Sequence, residues 1–95
     1  MNVLDRAGLL ADRVCAEFNI ERSALFGNRN FPMPIIRSMI YTTLRKEGYS
    51  YPKIGYVFKK NHSTIIYCMK HLEELLSVDK EIILMYDKYK QIEKL

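Results

Sequence analysis

The stretch Lys59-Lys60-Asn61-His62-Ser63-Thr64-Ile65 decides how this chain reads. Two cations lead into four small or hydrogen-bonding side chains, and an apolar pattern begins at once: Ile65, Met69, Leu72, Leu76. That spacing puts one apolar stripe on a helix. Asn61 is the expected N-cap, because its side-chain oxygen can accept a backbone N–H that a helix start leaves unpaired. His62, Ser63 and Thr64 then occupy the exposed first turn, with lysines just before them. A recognition helix in a major groove needs this arrangement: short donors and acceptors for base edges, and cations beside them for phosphates.

Just upstream, Ser50 can cap a shorter helix with Pro52 in its first turn and Ile54, Val57 and Phe58 facing inward. Gly55 would let a neighbouring helix approach closely. The two helices, joined by Phe58-Lys59-Lys60-Asn61, form a helix-turn-helix over about residues 50–76. By itself this pattern is weak, since many helical pairs meet it by chance.

Helical spacing extends in both directions. A first helix is expected from about Val3 to Phe18, with Leu4, Leu10, Val14 and Phe18 inward. A second, Glu21 to Phe26, is closed by Gly27 as a C-terminal cap. Residues 27–33 read as a loop holding Arg29. Pro34 suits the first turn of a third helix, which carries Ile36, Met39, Ile40, Thr43 and Leu44 to Glu47 before Gly48 stops it. The last helix, about 79–94, starts near Asp79 with Ile82, Ile83, Tyr86, Tyr89 and Ile92 in register. The pairs Ile35-Ile36, Ile65-Ile66 and Ile82-Ile83 could seed strands, but the spacing around each favours helix. The expectation is one all-α domain of six helices over residues 1–95, with Met1 and a finished last helix reading as a complete chain.

The net charge is only +4 in 95 residues, but it is unevenly placed. Residues 27–70 hold eight cations (Arg29, Arg37, Arg45, Lys46, Lys53, Lys59, Lys60, Lys70) and one acid, Glu47. That centre is +7 and the remainder is −3, a distribution that fits a polyanion-binding face or, more blandly, a solvated one. Cys15 and Cys68 lie in helical patterns without metal-ligand spacing and read as buried free thiols in a reducing cytoplasm. Asp5, Arg6, Asp12 and Arg13 break any signal-peptide run, and no stretch reaches transmembrane length. No nucleophile–base or carboxylate pair has a useful spacing, so neither an enzyme nor a cofactor or metal site is expected. His71 reads as a surface residue near Glu73 and Glu74. Five tyrosines (Tyr41, Tyr49, Tyr51, Tyr56, Tyr67) interleave with the basic centre and are expected at half-buried core edges rather than as a stacking platform.

One resemblance adds to this reading. Ser50-Tyr51-Pro52-Lys53-Ile54-Gly55, then Phe58, then Asn61-His62-Ser63-Thr64-Ile65, then Lys70-His71-Leu72-Glu73-Glu74-Leu75 resembles the C-terminal DNA-binding domain of the bacterial replication initiator DnaA, a TrpR-like helix-turn-helix. Val14 to Ile20 and Ala24-Leu25 are similar to that family's first and second helices, so the likeness covers about residues 10–76. It implies binding of a short asymmetric duplex site, the DnaA box. Carried over, it puts His62, Ser63 and Thr64 in the major groove and Arg29 in the adjacent minor groove. Arg37 and Ser38 would meet the backbone or a base edge, and Lys53 and Lys60 phosphates. Asn61 stands where the family has aspartate, and an amide donates as well as accepts, which bears on the preferred sequence. Lys59-Lys60 replaces a longer Gly-Gly-Arg turn. The chain has no phosphate-binding loop and no room for an ATPase domain, so it would not itself be an ATP-driven initiator.

The reading is thus a double-stranded DNA-binding protein, monomer or homodimer. Its DNA-binding residues are Arg29, Arg37, Ser38, Ser50, Lys53, Lys59, Lys60, Asn61, His62, Ser63 and Thr64. It would serve replication initiation, its regulation or transcription regulation, in a bacterium or phage, alongside replication or transcription proteins. The rival is a helical interaction module that binds an acidic partner or pairs with itself through the last helix.

Overall fold

The computed structural model describes residues 1–94, and among these all regular structure is helical. The helices are α1 (Val3–Phe18), α2 (Arg22–Gly27), α3 (Met33–Lys46), α4 (Tyr51–Phe58), α5 (His62–Leu76) and α6 (Lys80–Glu93). None is long and apolar enough to cross a membrane.

Local chemistry sets most of the boundaries. Asn2, Ser50, Asn61 and Asp79 each accept a backbone N–H from the first turn of the helix they open. Gly48 ends α3 at φ 99°, with Tyr49 N–H returning to the Leu44 carbonyl and Gly48 N–H to that of Arg45. This is the left-handed closure that glycine makes without a Cβ clash. Gly27 behaves differently from its expected role. It stays helical, and Asn28 caps α2 in extended backbone at φ −80°.

Helix α3 is the axis of the bundle and packs against each of the other five. Every residue from Ile35 to Tyr41 is buried, so this helix has no solvent face over two turns. Its interior hydroxyls are satisfied locally. Ser38 donates to the Pro34 carbonyl and Thr42 to that of Ser38, each one turn back. Around it lie Ala7, Leu10, Ala11 and Val14 of α1, Leu25 of α2, Ile54 and Phe58 of α4, Ile65 and Leu72 of α5, and Ile82, Tyr89 and Ile92 of α6. The small Ala7 and Ala11 let α1 sit close, and the stripe starts there. Leu4, expected inward, is 59% exposed in the first turn, where its neighbour Val3 packs against the core instead.

Helix α6 packs on α1, α3 and α5. Tyr89 reaches Thr43 Oγ1 at 2.6 Å, and Glu93 accepts from the same hydroxyl. Burial raises the Tyr89 pKa well above the ordinary phenol value. Both cysteines are free and half-buried rather than fully enclosed. Burial pushes the Cys15 thiol up, away from thiolate reactivity.

Candidate nucleic-acid interface

The helix-turn-helix is built on one close approach. A Cβ placed on Gly55 would lie 2.3 Å from the Lys60 carbonyl oxygen, so only glycine fits there. What comes near is the turn's own backbone, where a neighbouring helix was expected. Lys60 N–H donates to the Gly55 carbonyl at 2.8 Å and Lys59 N–H to that of Tyr56 at 3.4 Å. These bonds repeat the closure that Gly48 makes for α3, but here Lys59 holds the left-handed position at φ 56°. A side chain in that conformation costs about 1–2 kcal/mol relative to right-handed backbone. The turn therefore sets a lysine in strained backbone beside the start of α5.

Asn61 then opens α5. Its Oδ1 accepts from Ser63 N–H at 2.8 Å, which leaves its amide NH2 as the outward group. Because Asn61 does the capping, the hydroxyls of Ser63 and Thr64 are not used for it. His62, Ser63 and Thr64 are exposed. One turn on, Tyr67 is 66% exposed and its ring stacks on His71, with centroids 6.0 Å apart. Lys70 is exposed a further turn along. Ser63, Tyr67, Lys70 and His71 follow helical spacing and share one face. Tyr67 and Lys70 were outside the set of site residues drawn from sequence. Their four- and seven-residue offsets from Ser63 were the available signal.

Cations frame this turn. Lys53, Lys59 and Lys60 are exposed, and none enters an ion pair among the described residues. Ser50 is half-buried, and its Oγ accepts from Lys53 N–H at 3.4 Å. Arg29 is exposed in the loop after α2. That loop is turned by Asn28, whose Oδ1 accepts from Asn30 N–H at 2.7 Å. Phe26 at the end of α2 stacks on Phe58 at the end of α4, centroids 5.1 Å apart. The stack ties the end of α2, which leads into the Arg29 loop, to the end of α4, which leads into the Lys59–Asn61 turn.

Two expected contact residues lie inside instead. Arg37 is 7% exposed, and its Nη1 donates to the Leu25 carbonyl at 2.7 Å and the Asn28 carbonyl at 2.8 Å. It ties down the loop that carries Arg29 and does not reach outward. Ser38 is 3% exposed and spends its hydroxyl on Pro34. The cause is the all-round burial of α3. Tyr41 is also buried, edge-on to Phe58 at 4.9 Å, and burial pushes its phenol up to about 12 while Arg37 opposes the shift. Among the other tyrosines of the basic centre, Tyr49 and Tyr51 are half-buried as expected, whereas Tyr56 and Tyr67 face solvent.

Comparison with known proteins adds an independent line. The chain is 32% identical over 76 residues to the chromosomal replication initiator protein DnaA of Mycoplasma pneumoniae, a match covering 78% of this chain and 17% of that protein. It is 29% identical over 76 residues to DnaA of Mycoplasma genitalium, with the same shares covered. With DnaA of Tropheryma whipplei it shares 33% identity over 66 residues, 67% of this chain and 14% of the relative. The chain thus spans less than a fifth of the length of these curated relatives. No family model matches it, and neither does any solved structure. The chain is a homologue of one segment of DnaA, and the small share of those relatives that it covers is consistent with their C-terminal domain.

Proposed function

We propose that this protein binds double-stranded DNA sequence-specifically, with the start of α5 in the major groove and the Arg29 loop at the adjacent minor groove. One observation carries the reading. His62, Ser63 and Thr64 stand exposed on a turn fixed by Gly55 and Asn61, and unpaired lysines surround them. Lys53, Lys59, Lys60 and Arg29 supply affinity by neutralising phosphates, which makes binding fall steeply with salt. The amide of Asn61, the His62 ring and the two hydroxyls supply sequence choice, and the Thr64 methyl suits a thymine methyl. With its oxygen held by the cap, Asn61 offers a donor. It favours acceptors such as guanine O6 and N7 or thymine O4 over the cytosine amino group that an aspartate would accept from.

The likeness to DnaA supports a place at replication origins, in initiation or its regulation, or at promoters. Catalysis has no part in this reading. Self-pairing through α6 would have to use Leu84 and Tyr86, because Ile82, Tyr89 and Ile92 are already buried within the bundle. The test is fluorescence anisotropy with a labelled duplex carrying a DnaA box and with a scrambled duplex, each across a salt series. Tighter binding to the box supports an origin-related role. Equal, steeply salt-dependent binding leaves a DNA-binder with another target, to be found by selection from random duplexes. No binding at low salt sinks the reading.

A further inference from the structure

The outer side of α4 carries an apolar surface that borders the lysines of the proposed DNA face. Met1 is 77% exposed, Leu4 59% and Tyr56 79%. Single large apolar residues in water are ordinary, but adjoining ones mark interaction sites. Tyr56 forms a ridge between two shallow hollows that are mainly apolar. One, of about 490 Å³, is bounded by Met1, Val3, Tyr49, Pro52 and Lys53. The other, of about 550 Å³, is bounded by Leu4, Gly55, Val57, Lys59 and Lys60. Among the described residues the charges on their walls are all positive, three lysines and the Met1 ammonium, with no carboxylate.

We infer that these hollows dock an acidic segment of a protein partner, whose bulky apolar side chains fill the two depressions while its carboxylates meet Lys53, Lys59 and Lys60. Charge complementarity selects the acidic partner, and the walls select its apolar side chains. A sugar–phosphate backbone would satisfy the lysines but leave Met1, Leu4 and Val57 wet. A bilayer meets the ridge and its rims as a plane and would leave both hollows unfilled.

Lys59 and Lys60 also stand directly before the His62–Thr64 turn. A segment seated here takes the cations that phosphates need, so partner and duplex exclude each other. This exclusion rests on the DNA-binding reading above. The docking itself does not.

A synthetic helical peptide with leucines at i, i+3 and i+7 and glutamates between them serves as the probe, titrated into the whole chain by calorimetry. Expected is saturable binding that weakens about tenfold or more with Leu4→Ser or Tyr56→Ser, the loss that goes with exposing one buried apolar side chain. Glutamine in place of the peptide's glutamates should weaken it as well. In anisotropy, the peptide should release labelled duplex from the unsubstituted chain, and both variants should hold the duplex as tightly as that chain does. No peptide binding, or binding indifferent to both substitutions or to the glutamates, overturns the proposal. So does a loss of duplex affinity in either variant, which would make the patch part of the DNA face. Peptide binding that depends on Leu4 and Tyr56, in a chain that ignores DNA, would uphold the docking surface and refute the DNA reading alone.

Discussion

Phe26 stacks on Phe58 at 5.1 Å with ring planes 20° apart, joining the end of α2 to the end of α4. Each ring is followed within three residues by a cation of the candidate interface, Arg29 or Lys59. The stack therefore fixes the relation between a loop suited to a minor groove and a turn suited to a major groove. Tyr41 backs it edge-on from α3, and Arg37 anchors the loop from the same helix.

Arg37 tests this division between positioning and contact. In Arg37→Met the carbonyls of Leu25 and Asn28 lose their donor, which should cost about 1–3 kcal/mol of stability. Duplex affinity should fall because the loop loosens, with the salt slope unchanged, since no phosphate contact is lost. Urea denaturation together with anisotropy at several salt concentrations checks both. A slope reduced by roughly one with stability intact would return Arg37 to the DNA surface.

Lys59 should separate stability from binding in the opposite sense. Lys59→Gly removes the left-handed strain but adds chain entropy to the unfolded state. The net change should lie between zero and about 1 kcal/mol of added stability. The same change removes a cation of the proposed DNA face, so affinity should drop for every sequence alike and the salt slope should flatten by roughly one. Thermal melts and a salt series on two unrelated duplexes give the answer.

Asn61 carries a cap and an outward amide in one side chain. Asn61→Asp should keep the helix start, since the two residues cap equally well. It should shift base preference toward a cytosine amino group and weaken non-specific binding by adding a negative charge. Asn61→Ala should lose about 0.5–2 kcal/mol of stability through the missing cap. Selection of sites from random duplexes with the parent chain and Asn61→Asp would show the shift. Identical selected sites would mean that Asn61 reads no base.

Away from the interface, Arg6 clasps Glu47 with two hydrogen bonds of 2.8 and 2.7 Å, joining α1 to the end of α3. That contact holds the Glu47 carboxyl below its ordinary value of 4.5, chiefly through the hydrogen bond from Arg6. A lowered folded-state pKa means the stabilisation is complete above pH 4.5 and is lost as pH falls through the lower value of the folded state. Glu47→Gln should cost about 0.2–1 kcal/mol at neutral pH, because the pair is partly exposed, and the difference from the parent chain should vanish in acid. Urea melts at neutral and acid pH measure it.

Much of this architecture was legible because its signals are local. Ser50, Asn61 and Asp79 cap the helices they precede, and Gly48 stops α3, through bonds within a few residues. Periodicity likewise gave Ile65 and Leu72 their inward side. Burial that depends on neighbours was harder to read. Arg37 carries a charge that suits a phosphate, and nothing local says that α3 is surrounded. The one hint was the unbroken run from Ile35 to Tyr41, which offers no polar stripe beyond Arg37 and Ser38. Leu4 fits the α1 pattern by spacing, yet its neighbour Val3 takes the place against the core. The same long-range packing, above all the Phe26–Phe58 stack, is what relates the Arg29 loop to the turn, and no spacing rule reveals it.

The most direct test of the DNA-binding face is a titration of the 15N-labelled chain with a DnaA-box duplex, followed by amide chemical shifts. Changes concentrated at Arg29, Lys53, Lys59 to Thr64, Tyr67 and Lys70 are the predicted result. Changes confined to α6 around Leu84 and Tyr86, or none at low salt, would contradict it.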